Sequence, residues 1–202
     1  MLGAMVRSTE YGSRATITGY LDSFRSMVEN LDLDAIERVV NCLRQARDVG
    51  ASIFVAGNGG SAATASHWVN DLGKATKRSG HRPLKVASLC ENVAWISALG
   101  NDEGFERVFA GQLENLGEAG DVLVLISASG NSPNLLRATE LAQARAMGTI
   151  ALLGFDGGAL LHMVDHPVLV ASEIGAYGLV ETAHSLVADI VTSCLIEDRA
   201  QH

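Results

Sequence analysis

Aromatic residues are scarce in this chain, 5% of 202 positions, so its core has to be aliphatic. Cysteine is scarcer still: Cys42, Cys90 and Cys194 are odd in number, far apart and each set among apolar residues. That pattern offers no disulfide framework and reads as reduced core thiols. Basic residues are outnumbered, 15 Lys and Arg against 23 Asp and Glu for a formal charge of −8, and they form no dense run. This weighs against nucleic acid as a direct ligand. An uncharged apolar stretch of about 18 residues is missing, so no membrane-spanning helix is expected. Met1 to Gly12 contains no apolar signal-peptide core, which leaves the cytoplasm as the default compartment.

What is present suits one compact domain. Apolar residues make up 48% and charged residues 19%, with 21 glycines for tight turns. The length suffices for a full core without staples. Residues 1–14 read as a flexible N-terminus and 15–202 as a single domain. Ile17, Leu21, Phe24, Val28 and Leu31 recur at helical spacing, and Ile36, Val39, Val40, Leu43 and Ala46 do so again after Asp32. Gly50 stops the second of these leading helices. The pattern then changes to five short apolar runs with helical stretches between them: 52–56, 85–89, 121–126, 149–153 and 168–171. That alternation predicts an α/β fold, a doubly wound parallel sheet covered on both faces. A last helix is predicted over 177–197. Trp68 and Trp95 fall in helical settings, and Asn101-Asp102 in a turn.

The strongest apolar run delivers Ser127-Ala128-Ser129-Gly130-Asn131-Ser132 at the end of its strand, where open parallel sheets bind ligands. Ser132 suits an N-cap and Pro133 the first helical position, so the next helix presents free N–H groups at the same turn. Hydroxyls plus helix amides fit a phosphate. A second strand-to-helix turn, Gly57-Asn58-Gly59-Gly60-Ser61, permits close backbone approach and makes a two-sided crevice. It is neither a Walker loop nor a dinucleotide fingerprint. His67 and Asp71 stand four apart on one helix face. That spacing suits a divalent metal, an acid/base carboxylate oriented by an imidazole, or a plain surface pair. Glu181 and His184 share a face of the last helix, with Asp189 farther along. His81, His162, His166 and His202 sit in loop-like or terminal contexts.

Taken together, these motifs, with Gly100-Asn101-Asp102, Gly120-Asp121-Val122-Leu123 and Asp156-Gly157-Gly158, resemble the sugar isomerase (SIS) family and, within it, the phosphoheptose isomerases. The resemblance covers nearly the whole chain. It implies a flavodoxin-like five-stranded parallel sheet with two leading helices, a homotetramer, and sites between subunits. It also implies a phosphosugar substrate, a heptose phosphate first. Ser61, Ser127, Ser129 and Ser132 would surround the phosphate, with Asn58 and Asp102 near the sugar chain. Gly59, Gly60, Ala128, Asn131 and Glu181 join them as substrate contacts.

By the same resemblance a divalent metal, zinc in the family, would fall to His67, Asp71, Glu181 and Asp189. The family has His, Glu, Gln and His at these positions, so three of the four differ here. Asp71, Asp189 or His184 would carry the acid/base work of an enediol isomerisation. A second expectation comes from relatives on this scaffold that lack a full catalytic set: a non-catalytic phosphosugar-binding or regulatory protein, of the kind that associates with the replication initiator.

Overall fold

The computed structural model describes residues 12–79 and 81–198, so most of the expected flexible N-terminus, and His202, lie outside the described residues. Two helices lead, α1 (Ser13–Glu29) and α2 (Leu33–Val49). Asp32 caps α2 by accepting from the Ala35 N–H at 3.0 Å, and Gly50 ends it in the left-handed conformation at φ 76°. There follow β1 (Ser52–Gly57), α3 (Gly60–Lys74), β2 (Lys85–Ser88), α4 (Val93–Asp102), α5 (Ala110–Leu116), β3 (Val122–Ser127) and α6 (Pro133–Ala144). The chain continues through β4 (Gly148–Phe155), α7 (Leu160–Met163), β5 (His166–Ala171) and α8 (Tyr177–Glu197).

All five strands are parallel, in the order β2-β1-β3-β4-β5. The chain moves outward from β1 to β2, then returns to β3 and moves outward the other way. The strand order therefore reverses between β1 and β3, where doubly wound sheets bind ligands at the carboxyl ends of the strands. Gly57 pairs with Ile126 in this ladder, so the turns leaving the two strands start side by side.

Alternation along the strands explains the double covering. Ile53, Val55, Val124, Ile126 and Leu152 face one layer with α2, α3 and α8. Phe54, Leu123, Leu125, Ala151 and Leu153 face the other with α5 and α6. Neither face of β3 meets water: all six of its residues are buried. A run so continuously apolar suits a central parallel strand. The edge strand β5 accommodates Pro167, where a missing N–H is tolerated.

By length and composition α8 would pass for a membrane span, with mean hydropathy 1.4, although Glu181 and Asp189 interrupt its apolar run. Its apolarity is spent inside the domain: Val180, Ala183, Val187, Val191 and Leu195 are all buried. Just beyond α8, Asp198 accepts from Arg44 (2.6 Å) and Arg47 (3.0 Å) of α2, which locks the two helices together. Those guanidiniums, Arg44 foremost, hold the Asp198 carboxyl below its ordinary range.

Three details differ from the sequence expectation. Asn101 and Asp102 form the last turn of α4 rather than a free turn. The fourth and fifth strands are longer than their apolar runs. Strand β2 stops at Ser88, at the half-exposed sheet edge. The thiols agree with expectation: Cys42, Cys90 and Cys194 are free and half-buried, and burial pushes the Cys42 and Cys90 thiols up.

Candidate active site

The two turns at the β1/β3 reversal enclose a cleft of about 150 Å³. On one side β1 turns sharply into α3, whose first residue is Gly60. A Cβ on Gly60 would lie 2.5 Å from the Glu181 carboxylate, so the glycine is what lets α8 bring that carboxylate onto the start of α3. Negative charge there is favoured by the helix dipole and the free N–H groups of the first turn. Ser61, the next residue, is 5% exposed and lines the cleft.

On the other side the β3 turn is held by its own hydrogen bonds. Ser127 Oγ accepts from the Gly130 N–H at 3.0 Å, and Ser129 Oγ from the Asn131 N–H at 3.3 Å. Gly130 has φ 63°, and a Cβ there would run into the Gly157 carbonyl. Ser132 stands at the N-cap of α6 with extended backbone and Pro133 after it, as its sequence predicts. Its hydroxyl, however, makes no cap bond and lines the cleft instead. The cleft thus gathers Ser61, Ser127, Ser129 and Ser132 with Asn58 and Glu181, and among the described residues no Lys or Arg lines it. Two broader hollows of about 590 Å³ lie away from these strand ends, one against α1 and one around Arg107 and Arg137.

The remaining residues singled out in the sequence go elsewhere. The Asn131 amide is used structurally: it donates to the Ser129 carbonyl (3.0 Å) and accepts from the Ala159 N–H (2.9 Å), which ties this turn to the β4–α7 turn. Asp102 is exposed at the end of α4, accepts from Asn101 at 2.7 Å and does not line the cleft. His67 and Asp71 form the i, i+4 pair at 3.2 Å, and Asn70 donates to the other Asp71 oxygen at 2.9 Å. Asp189 is exposed, about 12 Å along the helix from Glu181.

His184 is wholly buried, and burial lowers its pKa to about 4, an effect the Leu153 backbone only partly opposes. Neither ring nitrogen makes a hydrogen bond of good geometry. The ring is therefore neutral near pH 7 and sealed from the cleft. Among the described residues no three His, Cys, Asp or Glu side chains come together as a metal-binding group. Within this chain His67, Asp71, Glu181 and Asp189 therefore do not make a metal shell.

Two residues of this site were not singled out in the sequence. Asn134, in the first turn of α6, pairs with Asn58. Its signal was weak, a polar residue after a Ser-Pro start. Tyr177 lines the cleft one turn before Glu181, and its ring packs edge-on against Phe155, centroids 5.1 Å apart. Among the described residues Phe155 is one of two non-glycine residues with positive φ (51°), and its N–H is held by Ser172 Oγ at 3.2 Å. An aromatic at the start of an apolar helix carries no mark distinguishing it from core packing.

A hydroxyl-lined cradle at the reversal point of a doubly wound sheet, beside the first turns of two helices, has the chemistry that suits an anionic ligand. The SIS domain profile matches residues 19–154. A phosphoheptose isomerase of Citrifermentans bemidjiense is 44% identical over 68% of this chain and 71% of its own length. One from Nitratiruptor sp. is 36% identical over 87% of this chain and 91% of its own. The solved phosphoheptose isomerase of Neisseria gonorrhoeae superposes with TM-score 0.80 at 30% identity, covering 91% of this chain and 96% of that one. The chain belongs to the SIS domain family, and by its kinship with the phosphoheptose isomerases it is an enzyme of the isomerase class.

Proposed function

We propose that this domain, residues 15–202, interconverts an aldose and a ketose phosphate in the cytoplasm, with a seven-carbon sugar phosphate as its first substrate. The observation that carries the reading is the convergence of Ser61, Ser127, Ser129 and Ser132 with one carboxylate, Glu181, in a single cleft. The serine hydroxyls and the first-turn amides of α6 take the phosphate. Glu181, across the cleft at the start of α3, faces the sugar chain. It removes a proton from C1 of the open-chain ketose and returns it to C2, while the hydroxyl proton passes from O1 to O2. The enediol between these steps needs no external oxidant, and general-base help of this kind contributes about 10²-fold or more.

Asp71 with its His67 partner, and Asp189, do not reach the cleft of their own subunit. The proposal brings them to it across a subunit boundary in a homotetramer. The exposed apolar residues Ile17 and Leu21 on α1, and Val93 and Phe105 around α4, support such an assembly. Zinc or another divalent ion belongs to the same expectation. Because one subunit supplies no metal shell, no step is routed through a metal. The free thiols suit a reducing compartment.

Incubation with sedoheptulose 7-phosphate in D₂O tests the reaction: deuterium should enter at C1 or C2. No turnover and no carbon-bound exchange across five- to seven-carbon sugar phosphates would sink it. Light scattering tests the tetramer, and metal analysis of the purified protein tests the ion. One observation favours a second reading, a phosphosugar-binding regulator: Asp71, Asp189 and His184 all lie off the cleft of their own subunit. Tight binding without exchange would identify it.

A further inference from the structure

Asn58 and Asn134 face each other across the crevice as a reciprocal amide pair. Asn58 Nδ2 donates to Asn134 Oδ1 and Asn134 Nδ2 donates to Asn58 Oδ1, both at 2.9 Å. Asn58 belongs to the turn after β1 and lines the cleft; Asn134 belongs to α6, is 2% exposed and does not line it. The contact thus spans the two turns that hold the phosphate donors, residues 76 apart in the chain.

The chemistry of the pair is directional. A carboxamide has two N–H donors and a carbonyl with two lone pairs, so each partner commits half of its capacity. Turning one amide over by itself would set N–H against N–H and oxygen against oxygen. The orientation of Asn58 is therefore coupled to that of Asn134, and Asn58 keeps one N–H and one lone pair outside the pair. A part-buried polar pair of this kind is costly to leave half-made, so the two amides move only together.

We infer that Asn134 is a positioning residue for the phosphosugar site: it constrains the Asn58 amide and the spacing of the β1–α3 and β3–α6 turns, so that the phosphate donors are preorganised. The inference rests on the phosphosugar reading above. Asn134 itself touches no substrate; it acts through Asn58.

Orthophosphate and sedoheptulose 7-phosphate are the probes, with calorimetry and steady-state kinetics on Asn134→Asp, Asn134→Ala, Asn58→Ala and the double variant N58A/N134A. Asn134→Asp keeps the size but offers Asn58 Oδ1 no donor. It should weaken orthophosphate binding and raise KM about tenfold, with kcat within about twofold, since ground and transition states lose the same contact. The double variant should bind no worse than Asn58→Ala, because Asn134 has no path to the ligand except through Asn58. Additive losses, or a folded Asn134→Asp with wild-type affinity and KM, would overturn the inference. Should the Asn134 variants not fold, NMR of the wild-type protein decides: one Asn58 side-chain amide proton must exchange slowly, and rapid exchange of both overturns the pairing. A wild-type protein that neither binds nor converts these probes removes the phosphosugar reading itself, a result separate from wild-type binding that the Asn134 variants share.

Discussion

The cradle at the ends of β1 and β3 and the acidic flank along α3 and α8 are built in opposite ways. Every part of the cradle is in place within one chain. Ser127 and Ser129 brace their own turn, Asn134 braces Asn58, and Gly60 admits Glu181 to the start of α3. The flank is dispersed: His67 and Asp71 pair on an exposed helix face, Asp189 stands exposed farther along α8, and His184 is sealed in the core. Anion binding needs only donors arranged by local turns, which short sequence separations supply. Assembling several carboxylates and imidazoles at one point costs desolvation and like-charge repulsion, and no such group forms among the described residues.

His184 offers the severest test on the flank side, because it lies buried beside β4. Its folded pKa of about 4 lies below its ordinary value of 6.5, so the folded state binds the proton more weakly than the unfolded chain. Stability on this account is complete above pH 6.5 and is lost as pH falls toward 4, by about 3 kcal/mol. Denaturant titrations across that range should show the loss, and His184→Leu should remove most of the slope. A His184→Leu protein with an unchanged slope would show that other groups set it.

Glu181 is where the two regions meet, and Glu181→Gln separates them. It should lower kcat about a hundredfold, roughly 2.7 kcal/mol of barrier. Orthophosphate affinity should stay within a few-fold if, as proposed, the serines hold the phosphate. Equal losses in both would mean that the cradle and the carboxylate are one device.

A smaller effect is expected at Ser132. With no cap bond to lose, Ser132→Ala should leave the unfolding free energy nearly unchanged, yet weaken phosphate binding about tenfold, near 1.4 kcal/mol. A clear loss of stability at unchanged affinity would make Ser132 a cap after all.

The smallest effect belongs to the flank. An exposed His–carboxylate pair contributes about 0–1 kcal/mol, so Asp71→Asn should shift thermal unfolding only slightly. If a neighbouring subunit completes the site, the same variant must nevertheless lower turnover. Unaltered turnover in Asp71→Asn would leave the flank without a part in the chemistry.

Much of this was legible in the sequence, for reasons that differ by element. The five strands and the long last helix announce themselves because a buried parallel strand must be apolar on both faces, and residues 122–127 are. The serine turn is legible because its donors are consecutive. Asn101-Asp102 was misread because a helix end and a turn favour the same residues. Asn131 looked like a ligand contact, yet its amide is engaged by the β4–α7 turn, and that partner is 28 residues away. The role of Asn134 was hidden for the same reason, its partner being 76 residues away.

Composition, periodicity and turn residues by themselves determined the doubly wound layers, the unpaired thiols and a hydroxyl-rich turn after the central strand, because each rests on neighbours within a few residues. The tertiary structure alone decided that Ser61 and Ser127 line one cleft, that Glu181 closes on Gly60, that Asn134 holds Asn58, and that the candidate metal ligands stay apart within this chain. Those facts depend on where β1 and β3 meet and on how α8 crosses the sheet. Such distances are set by packing between remote segments, which local residue patterns do not encode.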